Sequence, residues 1–215
     1  MILEEIMQTE VYTLSPEDTI ETALQLLRDK KIRHIPIVDK KGALVGLVTD
    51  RDVKEATPSI LQKETNKKEL HQPLSIIMAR NVVTGHPLDF VEDAAAILYE
   101  HDISCLPVIQ NGELAGIITE TDVLHTFVEL TGSNQPGSRI EMKVLNKAGK
   151  LYEVLHVLKK RGANIHSVLV YPDKQSEEYK IIVLRVQTMN PIAAIEDLKK
   201  DGHIVLWPNM PGVSS

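Results

Sequence analysis

Cysteine is nearly missing from this chain: Cys105 stands alone among 215 residues. A lone thiol excludes an internal disulfide framework and fits a reducing compartment. Aromatic side chains are also scarce, at 4% with one Trp and two Phe. No apolar run reaches the ~18 residues of a membrane span, so no membrane partner is expected. The opening MILEEIMQTE carries acids where a secretory leader needs a basic flank, so the expected location is cytoplasmic. Lys and Arg are nowhere dense enough to track a phosphate backbone, which argues against nucleic acid. A GxxxxGK[ST] phosphate loop, a nucleophile elbow, metal-ligand spacing and a motif-placed acid–base pair are all lacking. No catalytic residue, metal or enzymatic activity is therefore expected.

What is present is ordinary globular composition, 43% hydrophobic and 25% charged, at a length suited to two domains. The charge is uneven. Residues 1–137 hold 12 Lys/Arg against 22 Asp/Glu, and residues 138–215 hold 12 against 8. The sign changes at TGSNQPGS, residues 131–138, a composition that marks a domain boundary.

The first 127 residues repeat themselves. Met7 and Met78 set an offset of 71, kept by Pro16/Pro87, Ala23/Ala94, Ile32/Ile103 and Pro36/Pro107. Past Lys41-Gly42 and Asn111-Gly112 the offset is 70, as in Gly46/Gly116, Thr49/Thr119 and Asp52/Asp122. A hairpin turn absorbs such a length change most cheaply. Each copy ends on an apolar strand closed by a hydroxyl, with a carboxylate three residues later: GLVTDRD (46–52) and GIITETD (116–122).

Each copy reads as β-α-β-β-α. Short extended segments (Val11–Leu14, Val82–Thr84) precede Pro16 and Pro87. Asp18-x-x-Glu21 and Asp89-x-x-Glu92 have capping-box spacing. Helical periodicity follows at Ile20, Ala23, Leu24 and Leu27, and at Val91, Ala94, Ala95 and Leu98. Ile35–Val38 and Leu44–Thr49 read as a hairpin, and Asp50 starts the closing helix. Neither copy is large enough to bury a good core alone, so the two are expected to pack sheet to sheet. The chain thus divides into a first repeat (1–57), a partly helical connector (58–72), a second repeat (73–130), a linker (131–137) and a C-terminal domain (138–215). Lys63, Lys67 and Lys68 in the connector read as a solvated face.

Over about 125 residues the two copies, with their shared G-h-h-T-x-x-D ending, resemble a pair of CBS domains (a Bateman module). The resemblance implies an adenosine nucleotide (AMP, ADP or ATP) as regulatory ligand, with ribose at Thr49, Asp52, Thr119 and Asp122. Chemistry agrees, because a carboxylate can accept both ribose hydroxyls. The alternative is that Thr and Asp only cap the helix behind them. The family often places basic residues before the hairpin proline, so Arg33, His34 and Arg51, helped by Arg80, become candidate phosphate contacts. The alternative for the arginines is surface ion pairing. The second copy has Ser104-Cys105 and Thr121 at those places, without charge. Cys105 reads as packing. The eight histidines are scattered, and the spacing of His101 and Cys105 does not amount to a metal site.

From Arg139 the pattern becomes βαββαβ, a ferredoxin-like order with helices on one face. Ile140, Met142 and Val144 alternate as a strand. Leu151, Val154, Leu155 and Leu158 form a helix face. Ala163–Tyr171 and Tyr179–Val186 are strands. Pro191 opens a helix to Lys200, and His203–Trp207 is a last strand. These ~70 residues resemble an ACT domain, which implies an effector site at Asn146, Gly149 and Leu151, with Asn164 and Ile165 as its second part. Asn146 stands where the family pattern has aspartate. The alternative is a domain that only dimerises.

A CBS pair followed by an ACT domain is similar to the bacterial acetoin-utilisation AcuB family. That likeness implies a non-enzymatic regulator linked to acetoin or acetate metabolism, a homodimer, and a regulated enzyme as possible partner. The competing reading is an oligomerisation or partner-binding scaffold with no ligand.

Overall fold

In each repeat the apolar positions fall on one face of a helix and on a short hairpin, and neither alone can cover the other. The computed structural model describes residues 1–57 and 67–208, in two units, Met1–Leu124 and His125–Ser215. In the first unit, helix α1 (Ile20–Lys30) precedes hairpin β1 (His34–Val38) and β2 (Leu44–Thr49), and α2 (Asp50–Ala56) closes the copy. After α3 (Lys67–Leu70) the pattern recurs as α4 (Val91–Glu100), β3 (Cys105–Gln110), β4 (Glu113–Thr119) and α5 (Glu120–Leu130), a helix that begins in the first unit and ends in the second. Most of the connector, Lys63 included, lies outside the described residues.

The extended segments expected before each helix are reduced to one pairing residue apiece. Leu14 bridges Ile37 and Gly85 bridges Val108, both in parallel. The turns explain the lost residue. In the second hairpin Gln110 pairs with Glu113, and Asn111 and Gly112 take φ of 53° and 86°, as a two-residue I′ turn requires. The first hairpin has a longer turn, in which Asp39 Oδ1 accepts from the amides of Lys41 (2.8 Å) and Ala43 (3.0 Å).

The Asp-x-x-Glu spacing does not form a capping box. Thr19 is the N-cap of α1, accepting from the Thr22 amide, and Phe90 precedes α4 with no side-chain cap. Asp18 and Asp89 instead accept from the backbone amides of Ser15 and His86, both at 2.7 Å. They lock the Pro-containing turn before the helix, because a carboxylate three residues after a free amide can bond it without any helix.

The two hydrophobic cores stay separate, and each is completed by the other copy's leading segment. Leu3, from the chain start, is fully buried in the second core with Val91, Ala94, Leu98, Leu106, Val108 and Ile118. Leu74 and Met78, which lead into the second copy, complete the first core around Ile20, Ala23, Leu27, Ile35, Ile37, Val48 and Val53. Backbone bonds fix both crossings: Gln8 with Ile117 (3.0 and 3.0 Å) and Ala79 with Leu47 (2.9 and 2.9 Å). The motif glycines make room for them. A Cβ on Gly46 would lie 2.7 Å from Met78 Sδ, and one on Gly116 would lie 2.7 Å from Met7 Sδ.

The second unit is a four-stranded antiparallel sheet in the order β6-β7-β5-β8, from β5 (Ser138–Leu145), β6 (Ile165–Pro172), β7 (Tyr179–Val186) and β8 (Ile204–Trp207). Helices α6 (Lys150–Lys160) and α7 (Ile192–Lys200) supply Val154, Val157, Leu158, Ala194, Ile195 and Leu198 to a core with Ile140, Met142, Val144, Ile182, Leu184 and Val186. Leu151 departs from the helix face expected of it. It sits in the first turn of α6, beyond the end of the sheet, and is 37% exposed.

Candidate functional site

Thr49 ends β2 and is the N-cap of α2, so a strand and a helix meet at one residue. Asp52 Oδ2 accepts from both the amide and the hydroxyl of Thr49, each at 2.7 Å, and the Asp52 amide returns a bond to Thr49 Oγ1 at 3.3 Å. The second copy repeats this geometry: Thr119 amide and hydroxyl to Asp122 Oδ2 at 2.8 and 2.6 Å, and the Asp122 amide to Thr119 Oγ1 at 3.4 Å. Both pairs are thus capping boxes. Capping engages one carboxylate oxygen. Among the described residues no hydrogen-bond donor engages Asp52 Oδ1, so capping leaves an acceptor over.

Around that rim the first copy gathers its polar groups. His34 pairs with Thr49 across the hairpin, and the Asp50 amide donates to the Arg33 carbonyl at 2.9 Å. Arg33 and Arg51 are exposed, and among the described residues neither forms an ion pair. Lys54 Nζ lies 2.6 Å from Asp50 Oδ2. That bond, with Arg33 adding its charge, holds the Asp50 carboxyl below its usual range.

His34 is not the cation expected of it. Its ring is buried, and loss of solvent pushes its pKa below the usual 6.5, with the Arg33 charge adding and Asp50 opposing. Burial thus favours its neutral form, and Nε2 lies 2.7 Å from Ser104 Oγ of the other copy. Ser104 is the repeat counterpart of Arg33, and Cys105 that of His34. Cys105 is buried, and desolvation pushes its thiol up to about 12, so it packs as a small apolar residue.

Arg80 lies elsewhere. It lines a cavity of about 250 Å³ with Leu44, Val45, Gly46, Val82, Thr84, Ile109 and Gly112, at the turn end of the hairpins, and neither Thr-x-x-Asp pair borders it. Its guanidinium donates to the Ser75 carbonyl at 3.0 Å.

In the second unit, Asn146, Gly149 and Leu151 border a cavity of about 270 Å³ with Lys147, Lys150, Val170 and Lys180. Gly149 has φ +87° and starts α6 without a side-chain cap. Asn164 and Ile165 are not beside it. Asn164 Nδ2 donates to Gln187 Oε1 at 3.2 Å and Ile165 pairs with Val186, whereas Leu145 pairs with Tyr179 at the other end of β7. About 20 Å of strand separates the two groups, so one chain does not gather that five-residue set.

Two residues that contact these sites escape motif reading. Gln8 Nε2 reaches Asp122 Oδ1 at 3.3 Å, and Ser104 meets His34. The internal alignment holds the signal, since Gln8 aligns with Ala79 and Ser104 with Arg33.

Paired hairpin-and-helix copies that exchange their leading segments, each ending in a Thr–Asp capping box, define a tandem two-copy module. The CBS domain model matches residues 3–59 and 75–129, more than half the chain, and the chain belongs to the CBS domain family. Among solved structures it resembles a putative acetoin utilization protein (AcuB) from Vibrio cholerae, at 30% identity and TM-score 0.54, covering 63% of this chain and 98% of that one. It also resembles a CBS domain pair in complex with 5′-methylthioadenosine and S-adenosyl-L-methionine (28%, TM-score 0.52, 63% and 98% covered). A third likeness is CBSX2 in complex with AMP (28%, TM-score 0.52, 59% and 96% covered). Proteins with such pairs are typically regulatory and often bind adenosine ligands. Among the described residues no helix is long and apolar enough to cross a membrane.

Proposed function

We propose that this protein is a cytoplasmic, non-catalytic sensor whose CBS pair binds an adenosine nucleotide at the Asp52 rim. The observation that carries the reading is the division of labour within one carboxylate: Oδ2 of Asp52 caps α2 while Oδ1 accepts from no donor among the described residues. A ribose diol supplies two donors to such an acceptor. Arg33 and Arg51, exposed and outside any ion pair with a described residue, supply cations for phosphate. Thr119 and Asp122 offer a second rim without flanking arginines. The complexes of similar pairs with AMP, and with 5′-methylthioadenosine and S-adenosyl-L-methionine, support the ligand class.

The βαββαβ unit resembles an ACT domain, and the lysine-lined cavity at Asn146, Gly149 and Leu151 is its candidate effector pocket. Asn164 and Ile165 belong to that pocket only if another chain brings them there, which accords with a homodimer. The likeness to the AcuB-like structure supports a regulator tied to acetoin or acetate metabolism, acting on an enzyme partner. A thermal-shift series with AMP, ADP, ATP and S-adenosyl-L-methionine tests the sensor reading. A ligand at 100 times its Kd adds about 2.7 kcal/mol, and no shift with any of the four leaves the ligand-free scaffold as the function.

A further inference from the structure

The Thr–Asp capping bonds are the same at both rims, and the second rim carries a side-chain contact on its carboxylate that the first does not match. At the second rim the carboxamide of Gln8 donates to Asp122 Oδ1 at 3.3 Å. The equivalent position facing the first rim is Ala79, whose side chain has nothing to donate. The backbones carrying the two residues are held alike, Gln8 by paired bonds to Ile117 and Ala79 by paired bonds to Leu47. The difference between the rims is therefore a side-chain difference on equivalent supports.

We infer that Gln8 is a specificity determinant that occupies the ribose-accepting oxygen of Asp122 and confines nucleotide to the Asp52 rim. This rests on the nucleotide reading of the rims. A diol arriving at Asp122 must displace an amide that is already bonded, and it recovers only the difference between the two interactions. A diol arriving at Asp52 displaces no protein donor among the described residues. Gln8 acts from the segment that completes the second core, so the same crossing that stabilises the second copy also fills its rim.

Transposing the glutamine tests this. Gln8 and Ala79 are both exposed, so Gln8→Ala/Ala79→Gln leaves the cores untouched. Adenosine is the probe, because without phosphate it gains nothing from Arg33 and Arg51. Equilibrium dialysis of labelled adenosine against the full-length protein reads stoichiometry. In the unaltered chain one equivalent binds, and Asp52→Asn weakens it by about tenfold or more, the scale of one charge-assisted contact. In the transposed variant one equivalent binds, now sensitive to Asp122→Asn and indifferent to Asp52→Asn. Two equivalents in the unaltered chain, or a transposed variant still sensitive to Asp52→Asn, overturns the role of Gln8 and leaves the nucleotide reading standing. No binding to either protein overturns both.

Discussion

His34 Nε2 and Ser104 Oγ lie 2.7 Å apart, joining the start of the first hairpin to the residue just before the second. The bond links a buried imidazole on one copy to the position that carries Arg33 on the other. It is a side-chain tie between the repeats made by an imidazole whose burial disfavours its charged form.

That tie carries a pH dependence of known sign. The folded His34 pKa is lowered from 6.5 by burial first and Arg33 second, with Asp50 pulling the other way. Below about pH 6.5 the unfolded chain binds the proton that the folded chain refuses, so stability is complete above that value and falls as pH falls towards the folded pKa. Urea unfolding at about pH 7.5 and about pH 5.5 should show the unaltered protein losing more stability than His34→Gln. Equal losses contradict a neutral buried imidazole.

The exchanged segments make a prediction that runs against chain order. Leu3 belongs by sequence to the first copy yet packs wholly in the second core. Leu3→Ala should cost about 2–5 kcal/mol, as for other buried leucines. Hydrogen exchange should quicken in β3, β4 and α4 while β1 and β2 are spared. Quickening confined to the first copy would contradict the exchange.

Cys105 should resist alkylation. With its thiol raised to about 12 by burial, almost no thiolate exists at about pH 8, and the thiolate is the reactive form. Iodoacetamide should label it in denaturant and hardly at all in the folded protein. Rapid native labelling would show an open interface between the copies.

On the proposed reading, Arg33 and Arg51 contact phosphate and leave the sugar to the Thr–Asp rim. Replacing both with Ala should weaken AMP by about tenfold or more and leave adenosine nearly unchanged, because charge-assisted contacts to phosphate are lost and the rim is not. Titration calorimetry with both ligands reads the contrast. Equal weakening assigns the arginines to folding.

Residue spacing revealed the architecture of the first unit because duplication writes the same pattern twice, and Ile20/Ala23/Leu27 and Val91/Ala94/Leu98 are the buried helix faces in both copies. Asp18 and Asp89 misled because a carboxylate three residues before a glutamate satisfies the capping pattern while bonding backward to Ser15 and His86. His34 looked like a cation because burial is invisible in a basic dipeptide. Arg80 and Asn164–Ile165 are separated from their expected partners by strand pairing, which local sequence does not report. The crossing of Leu3 and Leu74 is legible only afterwards, in the two motif glycines that a Cβ would bring into collision with Met7 and Met78.

The proposed double use of Asp52, by a ligand as well as by a helix, is separated by Asp52→Asn. Asparagine keeps an acceptor for the Thr49 amide, so α2 stays capped at a cost of about 1 kcal/mol or less, while the anionic oxygen is gone. Calorimetric titration of AMP into both full-length proteins is the most direct measurement. Saturable binding to the unaltered chain is expected, with a loss of about tenfold or more in Asp52→Asn and the fold intact by circular dichroism. Undiminished AMP affinity in Asp52→Asn would contradict that double use.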